Sequence, residues 1–181
     1  MSFRCLKCGC CCRDLIVKFG PCHIGLFLLP EETKLFPIDR VSPMWAVGMR
    51  GRSRPRPNVQ VYQLNGKDCP YITSKNLCGI YNIRPSVCRA HPLSIHVNPL
   101  TGPISASVDR KCQGCKDIKS GEKQNLRKIF DREILWYNAI LHSRLAKIFS
   151  VQGQPVFIYD VLIRRWKQMT AEMAPTSLDH Q

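Results

Sequence analysis

The sequence predicts a small cysteine-rich α+β domain built round a metal, with a short β-hairpin or sheet and two C-terminal helices. Three observations predict it. Cysteines recur in CxxC spacings near the N-terminus and again near residue 112. Segments such as "VQVYQLNG" alternate apolar and polar residues at the strand period. From Leu126 onward, apolar residues return every three or four positions, which is the helical period. The division expected is a metal-binding domain over residues 1–118 and a helical extension over 119–175 packed on it.

The elements follow in order. "DLIVKF" has the β-branched content of a strand, and "LPEETKLF" reads as a short helix with Pro30 in its first turn and acids after it. "MRGRSRPRPNVQ" mixes arginine with glycine, serine and proline, a composition poor for helix or sheet, and predicts an exposed linker. "VQVYQLNG" predicts a strand ending in a turn at Asn65 and Gly66. "LSIHV" and "ISASV" flank "NPLTGP" and predict a β-hairpin with a long connection. Leu126, Ile129, Phe130, Ile134, Tyr137, Leu141, Leu145 and Ile148 fall on one face of a long amphipathic helix. A second helix is expected from Val156 to Met173, with Phe157, Val161, Leu162 and Trp166 inward and Arg164, Arg165 and Lys167 outward. The tail "APTSLDHQ" is expected to fray.

Composition narrows the class. No apolar run approaches the roughly 18 residues of a membrane-spanning helix. The start "MSFRCLKC" lacks the pattern of a secretory signal, so a cytoplasmic location is expected. There, cysteines serve as metal ligands or redox groups rather than as a disulfide framework, and eleven is an odd count. The formal charge of +14 is distributed along the whole chain and favours polyanionic partners such as nucleic acid or an acidic protein, without naming one. The arginine-proline segment lacks the interleaved aromatics that stack on bases, so a solvated linker is the simpler reading of it.

Thiolates are soft ligands suited to zinc and iron-sulfur clusters, and a CxxC spacing lets two sulfurs of one tight turn converge on one centre. Residues 5–12, "CLKCGCCC", contain CxxCxxCC with Cys10 as an extra; Cys69, Cys78, Cys88 and the pair Cys112 and Cys115 follow. The supply exceeds one four-ligand site, so two centres, or one cluster and a separate site, are both open. Pro70, Pro85 and Pro92 stiffen the chain beside cysteines. Arg84 and Arg89 place positive charge near thiolates, where they would act as cofactor-binding groups by donating hydrogen bonds to sulfur or offsetting cluster charge; a surface salt bridge is the simpler alternative. Tyr81 reads as a core aromatic, and His23 and His91 as hydrogen-bonded structural histidines.

"FRCLKCGCCC" together with "CPYITSKNLCGIYNIRPSVCRAHPL" resembles the CxxCxxCC family of zinc- or iron-chelating cysteine-cluster proteins, also called YkgJ-like. The matching positions are Cys69, Pro70, Cys78, Ile80, Tyr81, Arg84, Pro85, Cys88, Arg89 and Pro92, with Cys112 resembling the family's later cysteine. The likeness runs over roughly residues 3 to 115. His91 stands where the family usually has an aromatic residue, and Cys10, Cys22 and Cys115 are additions to the pattern. The resemblance implies a metal centre held by Cys5, Cys8, Cys11, Cys12, Cys69, Cys78, Cys88 and Cys112, with a 4Fe-4S cluster or zinc as the group bound.

Three functions follow from these readings. The first is an iron-sulfur protein with electron-transfer or redox-linked activity, an oxidoreductase if it is an enzyme. The second is a structural zinc module whose basic surface binds RNA, ribosome or an acidic protein. The third, from one branch of the resembled family, is a cluster-dependent methyltransferase acting on protein lysine. No glycine-rich phosphate loop, dinucleotide fingerprint or serine nucleophile elbow is present in the sequence.

Overall fold

The computed structural model describes residues 3–51, 53, 56–98, 102–109, 111–115, 126–140 and 153–170. Three short strands come first, β1 (Val17–Phe19), β2 (Cys22–Ile24) and β3 (Leu26–Leu28). A 3-10 helix over Pro30–Leu35 leads towards the long strands β4 (Val41–Arg50) and β5 (Arg56–Leu64). A short helix α1 (Ser86–Ala90) precedes the antiparallel pair β6 (Leu93–Asn98) and β7 (Gly102–Val108). Helices α2 (Leu126–Ile129) and α3 (Asp131–Ile140) follow, then strands β8 (Val156–Asp160) and β9 (Arg165–Gln168). The architecture is mixed α and β, as the sequence predicts.

The central sheet has five strands in the order β3-β5-β4-β8-β9, every neighbouring pair antiparallel. β4 lies in its middle and reads "MWAVG" over its buried stretch, a continuous run rather than an alternation, because both faces are covered. Gln63 of β5 is fully buried and ties the sheet to itself. Its Nε2 donates to the carbonyls of Pro43 at 2.6 Å and Tyr159 at 3.0 Å, and its Oε1 accepts from Gly25 N at 2.7 Å. All of the amide's partners lie on strands, or next to a strand, that β5 must organise, so a buried polar side chain costs little here.

Among the described residues, three hydrophobic clusters fill the interior. Met44, Trp45, Val61, Ile158 and Ile140 form the first, which joins the sheet to α3 and, through Ala90, to α1. Leu28, Phe36 and Leu64 form the second together with Cys12 and Cys69. Leu93 and Phe130 form the third with Cys112 and Cys115.

Several expectations need correction. The second C-terminal helix over 156–173 is absent among the described residues; the chain there forms β8 and β9. Val156, Ile158 and Asp160 are buried and alternate with half-buried Phe157 and Tyr159, and β8 pairs with the open edge of β4, from Trp45 opposite Ile158 to Val47 opposite Val156. The buried carboxylate of Asp160 then accepts from the N–H groups of Leu162 at 3.0 Å and Ile163 at 3.3 Å, which closes a turn. Those two donors hold the carboxyl below the usual range although burial opposes them. Leu162, expected inward, is exposed in that turn, while Val161 is buried and Trp166 is half-buried against Tyr159. A helical repeat and a strand alternation were both present in this segment, and the unpaired edge of β4 decided between them.

At its two ends the arginine-proline segment is strand and not linker, while Arg52, Arg54 and Pro55 lie outside the described residues. Met49 and Arg50 end β4, and residues from Arg56 onward begin β5, with Met49 opposite Pro57 and Arg50 opposite Arg56. Pro57 is compatible with this because β3 covers β5 only from Tyr62 to Leu64, leaving the far side of Pro57 without a ladder to supply. The long helix begins at Leu126 and is interrupted at Phe130, whose ring is fully buried. Ile134, Tyr137 and Ile140 continue its inward face. Leu141, Leu145, Ile148 and the tail "APTSLDHQ" lie outside the described residues. "LPEETKLF" forms its expected short helix, of the 3-10 type, with Pro30 at the start. Among the described residues no helix is long and apolar enough to cross a membrane.

Candidate metal centre

The N-terminal segment has little regular structure of its own. Gly9 takes a left-handed conformation (φ 70°), and Cys10–Cys12 form one 3-10 turn closed by Cys12 N donating to Gly9 O at 2.9 Å. Only glycine fits there, since a Cβ would stand 2.2 Å from the carbonyl oxygen of Asn76. Long-range backbone bonds hold this turn in place. Leu15 N donates to Lys67 O at 2.7 Å, Cys69 N donates to Cys12 O at 2.8 Å, and Phe3 N donates to Ile129 O at 2.7 Å. Phe3 also packs on Phe130 with ring centroids 5.2 Å apart.

The second block is shaped by turns. Ile72 bridges to Cys78 across a tight loop whose Thr73 accepts at its side chain from Leu77 N at 3.0 Å. Cys88 rides on α1, and that helix is moored by Glu32: Oε1 accepts from Ser86 N at 2.6 Å and from Ser86 Oγ at 2.7 Å, while Oε2 accepts from Leu29 N at 2.9 Å. Cys112 N donates to Asp109 O at 3.1 Å, and Cys115 N donates to Cys112 O at 3.0 Å, so the last CxxC is a single turn.

These elements converge on one cavity. Cys5, Cys8, Cys11, Cys12, Cys69, Cys78, Cys88 and Cys112, the eight residues singled out in the sequence, all line it, and Cys10 joins them. Phe36, Ile80 and Tyr81 supply apolar wall. Cys115 stands behind Cys112, hydrogen-bonded to it. Cys22 is fully buried in β2, within the first hydrophobic cluster, and is a core residue. His91 also lines the cavity; burial lowers its pKa, which keeps the imidazole neutral, and its Nδ1 lies 3.9 Å from Asp109 Oδ2. His23 is elsewhere, 3.7 Å from the Asp160 carboxylate.

The thiols fall into two neighbourhoods. In one, the Cys12 thiol donates towards Cys11 and Cys69; chiefly for this reason Cys11 and Cys69 are each lowered to about 7, while Cys12 is pushed up. The Arg84 charge lowers Cys11 further. Cys78 and Cys88 sit near this trio, both raised mainly by desolvation. In the other, Cys10 is raised chiefly by its hydrogen bond with Cys8, and Cys112 and Cys115 are raised chiefly by burial, with Cys5 and Cys8 close enough to add to the effect on Cys112.

Arg84 and Arg89 play unequal parts. Arg84 lines the cavity, lies 3.8 Å above the Tyr81 ring, and donates from Nε to Tyr81 O at 2.9 Å and from Nη1 to Cys88 O at 3.3 Å. It is therefore no surface salt bridge. Arg89 is turned away from the cavity: Nε donates to Arg84 O at 2.7 Å, Nη2 donates to Asn82 O at 2.8 Å, and the guanidinium lies 4.6 Å from the Trp136 ring. Its contact is with the backbone that carries Arg84. Lys7, which the sequence did not single out, places its ammonium 4.5 Å from the centroid of the Tyr81 ring and also lines the cavity. Glu32 was missed as well, since nothing in "LPEETKLF" announces that its carboxylate will anchor a helix fifty-odd positions on.

A set of soft thiols, two of them already acidic, beside a fixed arginine in a partly apolar cavity fits a thiolate-bound metal. Among the described residues no three such side chains are already drawn round one point as in a finished single-ion site. A family model named CxxCxxCC, described as "Putative zinc- or iron-chelating domain", matches residues 4–116, a span that includes every cysteine of the chain. No curated protein and no solved structure matches the chain.

Proposed function

The chain belongs to the CxxCxxCC family, and from that premise we propose that it is a metalloprotein holding an iron-sulfur cluster of the 4Fe-4S type through its cavity cysteines, with a redox-linked role. The observation that carries this reading is the convergence of nine cysteines, drawn from the N-terminal turn, the middle block and residue 112, on one cavity wall. The first thiol neighbourhood holds enough sulfur for one four-ligand centre, and the second does so only with Cys10 or Cys115 added to Cys5, Cys8 and Cys112. The residues that would hold the group are Cys11, Cys12, Cys69, Cys78 and Cys88 on one side and Cys5, Cys8 and Cys112 on the other. An iron-sulfur cluster supplies one-electron chemistry when bound.

The chain's own residues support that role. Cys11 and Cys69 reach the thiolate form near neutrality, so they would release few protons on ligation. Arg84, pinned by two carbonyls, keeps a fixed positive charge beside the sulfurs and would raise a reduction potential. Phe36 and Ile80 limit water on the cavity side.

A structural zinc module is the second reading, favoured by the N-terminal segment itself. Residues 3–16 form no strand and are held to the rest by a few backbone bonds, so a metal would contribute much of their order. In that reading the +14 charge serves an acidic protein or RNA.

Anaerobic purification followed by an absorption spectrum and metal analysis decides between them. A brown protein with iron and acid-labile sulfide is expected. Colourless protein with stoichiometric zinc would overturn the cluster and leave the structural module.

A further inference from the structure

A second cleft opens beside the cysteine cavity, with a volume of about 360 Å³. The two share Cys5, Lys7, Tyr81 and Arg84 as a common wall. Five cationic side chains face this cleft, from Arg4, Lys7, Arg84, Arg89 and Arg132, against one acid, Glu133. These cations come from three separate parts of the chain: the N-terminal segment, the stretch around α1, and the first turn of α3. Gathering like charges into one concavity is unfavourable unless something of opposite charge shares it.

The local geometry shows what that partner must be. Tyr81 has Lys7 at 4.5 Å and Arg84 at 3.8 Å from its ring, and Trp136 has Arg89 at 4.6 Å. Cations thus already stack on both rings of this cleft. Arg84 and Arg89 spend two donors each on main-chain carbonyls, so both guanidinium groups are fixed before any ligand arrives. Among the described residues, Lys7 and Arg132 hydrogen-bond through their backbone N–H groups, and the Lys7 ammonium faces the Tyr81 ring. Burial raises the Glu133 carboxyl, which weakens the only opposing charge.

We propose that this cleft is a binding site for a small polyanion bearing phosphate or carboxylate groups, seated against the wall it shares with the cysteine cavity. Arginine forks suit both oxyanions. Cys5 and Arg84 belong to both cavities, but Arg4, Arg89, Arg132 and Glu133 line this cleft alone, so the proposal does not depend on whether the neighbouring centre carries iron or zinc.

Calorimetric titration of the full chain, with its metal in place, against inorganic pyrophosphate and separately against citrate tests this. One-to-one binding that weakens with added salt is expected, and the tighter of the two probes identifies phosphate or carboxylate as the preferred group. Arg132→Gln and Arg4→Gln, both at exposed positions, should each weaken binding about tenfold, the loss of one charge-assisted hydrogen bond. Arg165→Gln, an exposed arginine of β9 outside the cleft, should leave it unchanged, and far-UV circular dichroism should be the same for all three variants. Absence of one-to-one binding with both probes overturns the proposal. So does an equal loss in Arg165→Gln, which would make the attraction one of net charge alone.

Discussion

The backbone N–H of Cys69 donates to the carbonyl of Cys12 at 2.8 Å, joining the two halves of the cysteine set by main chain rather than by metal. The thiols of the same two residues are hydrogen-bonded as well. One cysteine from each half of the set is thus held in register with the other by main chain and by side chain, and the consequences can be measured.

Cys69→Ser should lose most of the bound metal and lower stability, because it removes a thiolate at the point where the two halves meet. Cys22→Ala should keep its full metal content and cost about 1 kcal/mol, the ordinary loss for trimming a small buried side chain. Metal analysis and urea unfolding of both variants check this. Metal loss in Cys22→Ala would contradict the placement of Cys22 in the core.

Cys11 and Cys69, lowered to about 7, should be alkylated in the metal-free protein along a pH profile centred near neutrality instead of the higher value of an ordinary thiol. The sign of each perturbation is set by its cause. Cys12→Ala removes the donor to both sulfurs and should move both profiles up. Arg84→Met removes a positive charge that acts on Cys11 and should move the Cys11 profile up while Cys69 keeps its own. Mass-spectrometric mapping of iodoacetamide labelling against pH separates the two.

Gly9→Ala should disturb the cysteine turn strongly. The left-handed backbone alone costs about 1–2 kcal/mol, and the added Cβ would meet the Asn76 carbonyl. Gly153→Ala provides the comparison: its φ is 80° but nothing lies within 4 Å of the added carbon, so only backbone strain is expected. Metal content should fall in Gly9→Ala and hold in Gly153→Ala.

Glu32→Ala should lower stability by about 4 kcal/mol or more, since it removes three hydrogen bonds to a charged group, each worth about 1.5–3 kcal/mol. Ser86→Ala should lose less, because the Ser86 N–H still reaches Oε1. Both changes loosen the mooring of α1, so affinity for metal should fall with stability, as a chelator competition would show.

The cysteine pattern was legible because ligand chemistry is local. A CxxC turn places its two sulfurs together whatever the rest of the chain does, and the eight residues named from the sequence do line one cavity. The strand at "VQVYQLNG" was legible for a similar reason, its alternation being matched by neighbours on both sides. Residues 156–168 were not, because Phe157, Val161 and Leu162 fit a helical face, although the last two lie in the turn between β8 and β9. Only the open edge of β4 made the strand the better choice.

The sequence by itself carried the family resemblance, the cysteine spacing and the mixed α and β composition, since these rest on side-chain chemistry and short-range period. The tertiary structure decided which thiols become neighbours, which arginine faces sulfur and which faces backbone, and where five cations meet beside the cysteines. Those choices depend on contacts between segments far apart in the chain, such as Glu32 with Ser86 and Phe3 with Phe130. Nothing in either segment alone specifies its partner, because the energy that selects it comes from burial and hydrogen bonding that exist only once the chain has closed.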